Sequence, residues 1–257
     1  MDYFLKFLIR ISILHRKIAF VTLKILKLLK RNRGYFNVGN NKMFLDFLDP
    51  IDRQIILNKE YESYEFSTLS NLVEKYSIDN FIDVGANCGF YSFHLSKNLN
   101  VFAFEPNQEA FFKLNKTLEL NHKFKERVKI YPFGISEENK NLKMKTKVKF
   151  GYVQTGGSSV SSPTEEIGHK IFHADFKIGD EILKLSNQKI AIKIDVEGHE
   201  LSVLKGFFKL LSNNRCIIQI EIFDKNFIDV DKFLKENKFS KIINVSQNSN
   251  YFYSNFN

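Results

Sequence analysis

The sequence has no tryptophan, only two cysteines and no long uncharged apolar run among its 257 residues. Two cysteines, Cys88 and Cys216, cannot build a disulfide framework or a cysteine metal site, so a reducing cytosol is the expected location. In the apolar N-terminal region the longest uncharged run, Ile18 to Leu23, is far shorter than the ~20 residues of a membrane span. Charges interrupt that region throughout, so the pattern also fits a cleavable signal peptide badly.

Positive charge is concentrated at the N-terminus rather than spread over the chain. Residues 1–35 hold nine basic residues and one acidic residue, a net charge of +8, whereas the rest holds 29 basic and 28 acidic residues. A nearly neutral domain lacks the basic surface expected of a nucleic-acid-binding protein. We therefore predict no nucleic-acid partner.

Residues 3–31 are predicted to form a basic amphipathic helix, because their lysines and arginines fall in one arc of about 160° at helical spacing. Such a helix can lie on an anionic membrane surface. It can equally pack on its own domain or on a second subunit of a homo-oligomer. The sequence leaves both interpretations open.

Apolar runs alternate with helical patterns from residue 81 onward. Nearly continuous apolar runs are typical of a parallel sheet that is buried on both faces. Strands are predicted at 81–84, 101–104, 128–131, 191–194, 216–220, 241–245 and, last, within 250–256. A short strand near residue 43 and helices at 51–57 and 62–76 precede them.

The alternation breaks at residues 136–165. Two alternating segments, 141–144 and 147–152, predict an antiparallel hairpin, and the Gly-Ser-rich residues after it predict a flexible loop. Surface insertions of this kind often carry specificity.

The stretch from Phe81 to Phe90 predicts a buried strand, a glycine turn and the start of a helix, an arrangement that holds nucleotide-like ligands. Its glycine pattern, Gly85-x-Asn87-x-Gly89, lacks the third glycine of a dinucleotide fingerprint, which argues against an NAD-dependent oxidoreductase. Glu105 follows Asp83 by 22 residues, a spacing suited to holding a ribose diol.

Four carboxylates are predicted at the C-terminal ends of strands: Asp83, Glu105, Asp195 and Glu221. Ligands of open α/β sheets bind at that edge. Each one alone could cap a helix or turn, but the set together favours a site.

Four stretches, in order, resemble the FkbM family of class I S-adenosylmethionine-dependent methyltransferases. They are Asp83-Val-Gly-Ala-Asn-Cys-Gly-Phe-Tyr91, Phe102-Ala-Phe-Glu-Pro-Asn107, Lys193-Ile-Asp-Val-Glu-Gly-His-Glu200 with Leu204-Lys-Gly206, and Ile218-Gln-Ile-Glu221. The resemblance implies an α/β fold, a Rossmann-like seven-stranded and mostly parallel sheet with helices on both faces. The implied strand order is 3-2-1-4-5-7-6, with strand seven antiparallel.

The resemblance also implies S-adenosyl-L-methionine as cofactor and a set of residues that bind it. Residues 134–136 would lie near the adenine, and Glu105 would hold the ribose. The implied cofactor-binding residues are Asp83, Gly85, Asn87, Gly89, Glu105 and Asn107.

Methyl transfer to a hydroxyl needs a base, and Asp195 and His199 are the candidates. Strand alternation places Lys193 on the face of Asp195, where it can keep that carboxylate charged. No metal is predicted, although Asp195 with Glu221 could hold a divalent ion if a third ligand were present. His199 and Glu200 could instead belong to the first turn of a helix.

The sequence thus predicts an O-methyltransferase that acts on a sugar hydroxyl in a surface polysaccharide or glycolipid precursor. The predicted location is the cytoplasm, and the inner face of the membrane if the basic N-terminal residues 1–35 bind lipid. A small natural product is an alternative acceptor, and a non-catalytic, membrane-associated cofactor-binding protein is an alternative role. The predicted parts are a basic arm (1–35), a helical cap (36–80) and a catalytic domain (81–257) that contains the insertion 136–165.

Overall fold

A computed structural model describes residues 32–149, 152–160, 168–245 and 249–256. The predicted basic helix of residues 3–31 lies outside these ranges. The strands are β1 (Arg33–Val38), β2 (Asn41–Asp46), β3 (Asn80–Val84), β4 (Asn100–Phe104), β5 (Val128–Tyr131), β6 (Gly134–Ser136), β7 (Lys140–Lys149), β8 (Tyr152–Val153), β9 (Ser159–Val160), β10 (His169–Ile178), β11 (Lys189–Ile194), β12 (Arg215–Glu221), β13 (Ser240–Val245) and β14 (Asn250–Ser254). The α-helices are α1 (Pro50–Asn58), α2 (Ser63–Lys75), α3 (Phe90–Leu95), α4 (Gln108–Leu120), α5 (Gly179–Ile182), α6 (Glu200–Gly206), α7 (Phe208–Asn213) and α8 (Asp224–Glu236).

The main sheet has seven strands in the order β5-β4-β3-β11-β12-β14-β13. Neighbours from β5 to β12 are parallel, and β14 is antiparallel to both β12 and β13. Numbered from β3 as strand one, this is the order 3-2-1-4-5-7-6 with strand seven antiparallel. The predicted fold class is therefore confirmed.

Both faces of the main sheet are buried, which explains the unbroken apolar runs. Along β3, Phe81 packs into one hydrophobic cluster, and Ile82 and Val84 pack into the cluster on the opposite face. Neighbouring strands divide their side chains in the same way. Asp83 points to the face of Phe81, because side chains alternate along a strand.

The insertion forms part of a second sheet, in the order β6-β10-β7-β8. The predicted hairpin between segments 141–144 and 147–152 is wrong, because β7 continues without a turn from the first segment into the second, as far as Lys149. Met144 and Thr146 lie buried along it, and its long antiparallel partner is β10. The sequence pattern between the segments carried no turn signal, and the true partner begins only after residue 168.

The N-terminal part before β3 contains a β-hairpin as well as two helices. β2 is the strand predicted near residue 43, and β1 was not predicted; it crosses the predicted boundary at residue 35. Arg33 of β1 forms ion pairs with Asp46 at 2.8 Å and with Glu109 of α4 at 3.0 Å. The segment 36–80 is therefore a mixed α/β cap.

The helix predicted over 201–211 is divided into α6 and α7 at Phe207. Gly206 lies so close to β6 that a Cβ there would be 2.2 Å from the backbone oxygen of Ser136. Across the described ranges, no helix is long and apolar enough to cross a membrane.

Candidate active site

A cavity of about 260 Å³ opens at the carboxyl ends of β3, β4, β11 and β12. The glycine turn after β3 forms one wall, and the segment after β11 forms the opposite wall. Residues 155–158 of the insertion and Tyr61 and Glu62, just before α2, also line the cavity. The main sheet therefore brings segments that lie far apart in sequence to one site.

The glycine turn packs directly against the end of β11. A Cβ on Gly85 would lie 1.9 Å from the backbone oxygen of Asp195, and its φ of +85° is left-handed. The backbone N–H groups of Gly85 and Ala86 both donate to the carbonyl of Phe104, at 3.0 and 3.1 Å. Only glycine is compatible with this backbone conformation and close approach.

Glu105 receives one backbone hydrogen bond on each of its carboxylate oxygens. Asn87 N donates to its Oε2 at 2.8 Å, and Asn107 N donates to its Oε1 at 2.8 Å. Burial raises the pKa of Glu105 to about 7 even though these donors favour the charged form. Each oxygen accepts one hydrogen bond here and has capacity for another, so the carboxylate can receive a diol.

Asn107 makes side-chain hydrogen bonds to α4 and to the insertion, and its contact with the cofactor stays a prediction. Its Oδ1 caps α4 by accepting from Glu109 N at 2.9 Å, and its Nδ2 donates to Ser158 Oγ at 2.8 Å. Neither Asn107 nor Gly89 lines the cavity, whereas Asp83, Gly85, Asn87 and Glu105 do. Asn107 supports the site from outside.

Asp83 lies at the floor of the cavity. Its Oδ2 accepts a hydrogen bond from Ser92 Oγ at 2.6 Å. Burial raises its pKa, and the charge of Lys193 opposes that effect. The carboxylate is thus shielded from bulk water but open to the cavity.

Lys193 and Asp195 form the ion pair expected from strand alternation, with 2.8 Å between Nζ and Oδ2. The Lys193 Nζ also lies 4.9 Å from the centre of the Tyr91 ring. Burial opposes the charge of Lys193, but Asp195 and Glu62 outweigh it and raise the pKa of the lysine. The lysine is therefore a fixed cation.

Glu221 lies beside Asp195 at the end of β12. Burial raises the pKa of Glu221 to about 8, and the charge of Asp195 and a hydrogen bond between the two side chains add to the effect. The Glu221 carboxyl therefore holds its proton more strongly than an exposed glutamate does.

His199 lines the cavity but lies on the side of β6. Its Nε2 is 3.1 Å from Ser136 Oγ, and its ring meets Phe176 edge-on at 5.3 Å. Burial, with a contribution from Lys140, lowers the pKa of His199 to about 4. Among the described residues no hydrogen bond or ion pair joins His199 to Asp195.

Sequence reasoning missed Glu62. Its Oε2 accepts a hydrogen bond from the Tyr91 hydroxyl at 2.9 Å. It lies before the glycine turn, in a segment without a motif, so only the tertiary structure brings it to the site. Within the described ranges no three His, Cys, Asp or Glu side chains are grouped so as to hold a metal ion.

Residues 83–241 match the family model of the methyltransferase FkbM domain. The chain belongs to the FkbM methyltransferase family. Its α/β fold is that of a methyltransferase domain, and the cavity is lined by the matched region together with residues of the cap.

One relative of this chain is the hexuronic acid methyltransferase AglP of Haloferax volcanii. It is 30% identical over 161 residues, which are 62% of this chain and 62% of the relative. The match thus spans less than two thirds of that protein.

Two solved structures are also similar. The methyltransferase FkbM of Methylobacillus flagellatus KT has 17% identity and a TM-score of 0.49, over 69% of this chain and 43% of that one. SMU.1697c of Streptococcus mutans, solved in complex with SAH, has 15% identity and a TM-score of 0.45, over 73% of this chain and 95% of that one. The fold assignment here rests on strand order and the family match.

Proposed function

We propose that this FkbM-family enzyme is an S-adenosylmethionine-dependent O-methyltransferase that acts on a sugar hydroxyl in a surface polysaccharide or glycolipid precursor. The observation that carries the proposal is a cavity that lies between two walls of different chemistry. One wall has the glycine turn with Glu105, and the other has Lys193, Asp195 and Glu221. The hexuronic acid methyltransferase named above supports a sugar acceptor.

The first wall suits the cofactor. Glu105 has spare acceptor capacity on both oxygens, and Gly85 leaves no side chain between the two walls. Asp83 offers a buried carboxylate to a cationic ligand end. S-adenosylmethionine, when bound, would supply a methyl group activated on a sulfonium.

The second wall suits the acceptor. A hydroxyl is a weak nucleophile at neutral pH, so a base must take its proton as the new bond forms. The carboxyl pair of Asp195 and Glu221 can accept that proton, and Lys193 holds Asp195 in place. His199 is the weaker candidate, because a pKa of about 4 leaves it neutral but poorly basic.

The main work of the protein is to orient the acceptor. Holding two reactants in line and excluding water can contribute ~7–11 kcal/mol to the reaction. The insertion covers the cavity with residues 155–158, and Tyr61 closes it from the cap. These segments come from outside the sheet. Sequence changes in them can therefore alter which acceptor binds without altering the wall that is proposed to bind the cofactor.

Calorimetric titration of the full chain tests the proposal. We expect heat of binding with S-adenosylmethionine and none with NAD. Glu105→Gln should weaken binding roughly tenfold or more, because it replaces a charged acceptor with an amide and puts N–H donors near two ribose hydroxyls. Absence of binding by the wild-type chain at high protein concentration would refute the proposal.

A further inference from the structure

We infer that the acceptor half of the cavity is built for a neutral hexose and discriminates against hexuronates, which separates this chain from its hexuronic acid methyltransferase relative. The inference rests on the proposed function and refines its substrate class. Two observations carry it: carboxyl groups dominate the cavity lining, and the lysine of that lining is already paired with Asp195.

Carboxylates dominate the cavity lining. Six of them face it, against one lysine and no arginine among the described lining residues: Glu62, Asp83, Glu105, Asp195, Glu197 and Glu221. Two belong to the proposed cofactor wall. The other four surround the place where the acceptor must lie.

The single lysine of the lining is not available to a second anion. Lys193 Nζ is 2.8 Å from Asp195 and is packed over the Tyr91 ring. Lys147 acts on Glu197 through its charge but is not part of the described lining. Burial, and then the charge of Asp195, raises the pKa of Glu197 to about 7, so this part of the cavity already disfavours negative charge. The carboxylate of a hexuronate would add another anion there without a free counter-ion, and an uncompensated buried charge is strongly unfavourable.

Glu62 and Glu197 are held toward the cavity by unusual backbone conformations. Their φ angles are +47° and +52°, in the left-handed region that glutamate rarely adopts. Glu62 occupies the N-cap position of α2 but makes no side-chain capping hydrogen bond; it binds the Tyr91 hydroxyl instead. Strain of this kind is found at ligand-binding sites, where the surrounding structure maintains it.

A neutral sugar fits the same groups well. Its hydroxyls are donors, and Glu62 and Glu197 are acceptors. Tyr61 offers an aromatic ring to the apolar face of a sugar ring, as it lines the cavity next to Glu62. An acceptor-rich and aromatic lining thus recognises a polyol without needing a cation.

The test compares two simple probes, methyl β-glucoside and methyl β-glucuronide, by NMR titration of the full chain saturated with S-adenosylhomocysteine. We expect the glucoside to bind at least tenfold more tightly. The variant E62Q/E197Q should narrow that ratio below threefold by strengthening glucuronide binding. The control variant E119Q/E126Q also removes two glutamates, one exposed on α4 and one exposed just after α4. It should leave the ratio of glucoside to glucuronide affinity unchanged.

Calorimetric titration with S-adenosylhomocysteine is the control for folding, because only a folded variant should bind this ligand as wild type does. Equal or tighter binding of the glucuronide overturns the inference and leaves the proposed function intact. An unchanged ratio in E62Q/E197Q also overturns it. If S-adenosylhomocysteine binds but neither glycoside does, both the inference and the sugar assignment fall, while the cofactor assignment stands.

Discussion

At the scale of single residues, the site depends on how burial redistributes protons among carboxyl groups. Asp195 and Glu221 came from two different motifs, and the sequence placed both at strand ends. What it did not show is that they are hydrogen-bonded neighbours. Nor did it show that His199 lies against Ser136 and away from this pair.

A pH profile tests the role of the Asp195–Glu221 pair. Burial and the charge of Asp195 raise the pKa of Glu221 to about 8, and a base must be deprotonated to work. Turnover should therefore rise as the pH increases through about 8 and should be lower below it. Glu221→Gln should remove this rise and lower kcat roughly 10²-fold.

His199→Ala is the matched comparison for that profile. The pKa of His199 is lowered to about 4 by burial, so its loss should leave the rise near pH 8 in place. A profile that stays unchanged in Glu221→Gln, or that disappears in His199→Ala, would reassign the base to His199.

At the scale of elements, a buried polar network ties the insertion to α1, α4 and the glycine turn. Thr155 Oγ1 lies 2.7 Å from Asp49 Oδ2, 2.9 Å from Asn87 Oδ1 and 3.0 Å from Lys113 Nζ. Lys113 also donates to Asp52 at 2.7 Å. Burial opposes its charge, but these aspartates outweigh burial and raise the pKa of Lys113.

Thr155→Val tests this network with little change in shape. The variant removes the hydroxyl that Lys113 and Asp49 use, and an unsatisfied buried polar group costs ~1–3 kcal/mol. We expect the free energy of unfolding, measured with urea, to fall by that amount. Affinity for S-adenosylmethionine should fall as well, since Asn87 lines the cavity.

Thr68→Val on α2 serves as the control, because Thr68 is outside the cavity lining. It should leave cofactor affinity unchanged. Equal cofactor affinity in wild type and Thr155→Val would show that the network supports folding alone.

At the scale of the whole molecule, charge is divided between a basic N-terminal segment and a nearly neutral remainder. We propose that residues 1–31 bring the enzyme to anionic membranes, where polysaccharide and glycolipid precursors are assembled. Electrostatic attraction of this kind weakens with salt, because the Debye length is only ~10 Å at 0.1 M.

Co-sedimentation with liposomes tests the membrane proposal. The full chain should sediment with vesicles that contain anionic lipid and dissociate from them at high salt. It should not sediment with neutral vesicles. A truncated chain that starts at Asn32 retains the Arg33–Asp46 pair and should not bind. Equal sedimentation of both chains would instead favour the interpretation that the helix packs on protein.

The sequence by itself determined the strands of the main sheet, because each is a local apolar run, and the central strands β3, β11 and β12 are buried on both faces. Motif resemblance then supplied their order. It also identified the glycine turn, Glu105 and the Lys193–Asp195 pair, since their spacing is local or follows strand alternation.

Tertiary structure alone decided the rest. The partner of β7 follows a loop, so no local pattern could reveal it, and Glu62 reaches the cavity from the cap only after the chain folds. The raised pKa of Glu221 and the lowered pKa of His199 depend on burial, which is a property of the packed molecule. The proposed acceptor specificity resides in those features, whereas the residues proposed to bind the cofactor come from motifs that the sequence already contains.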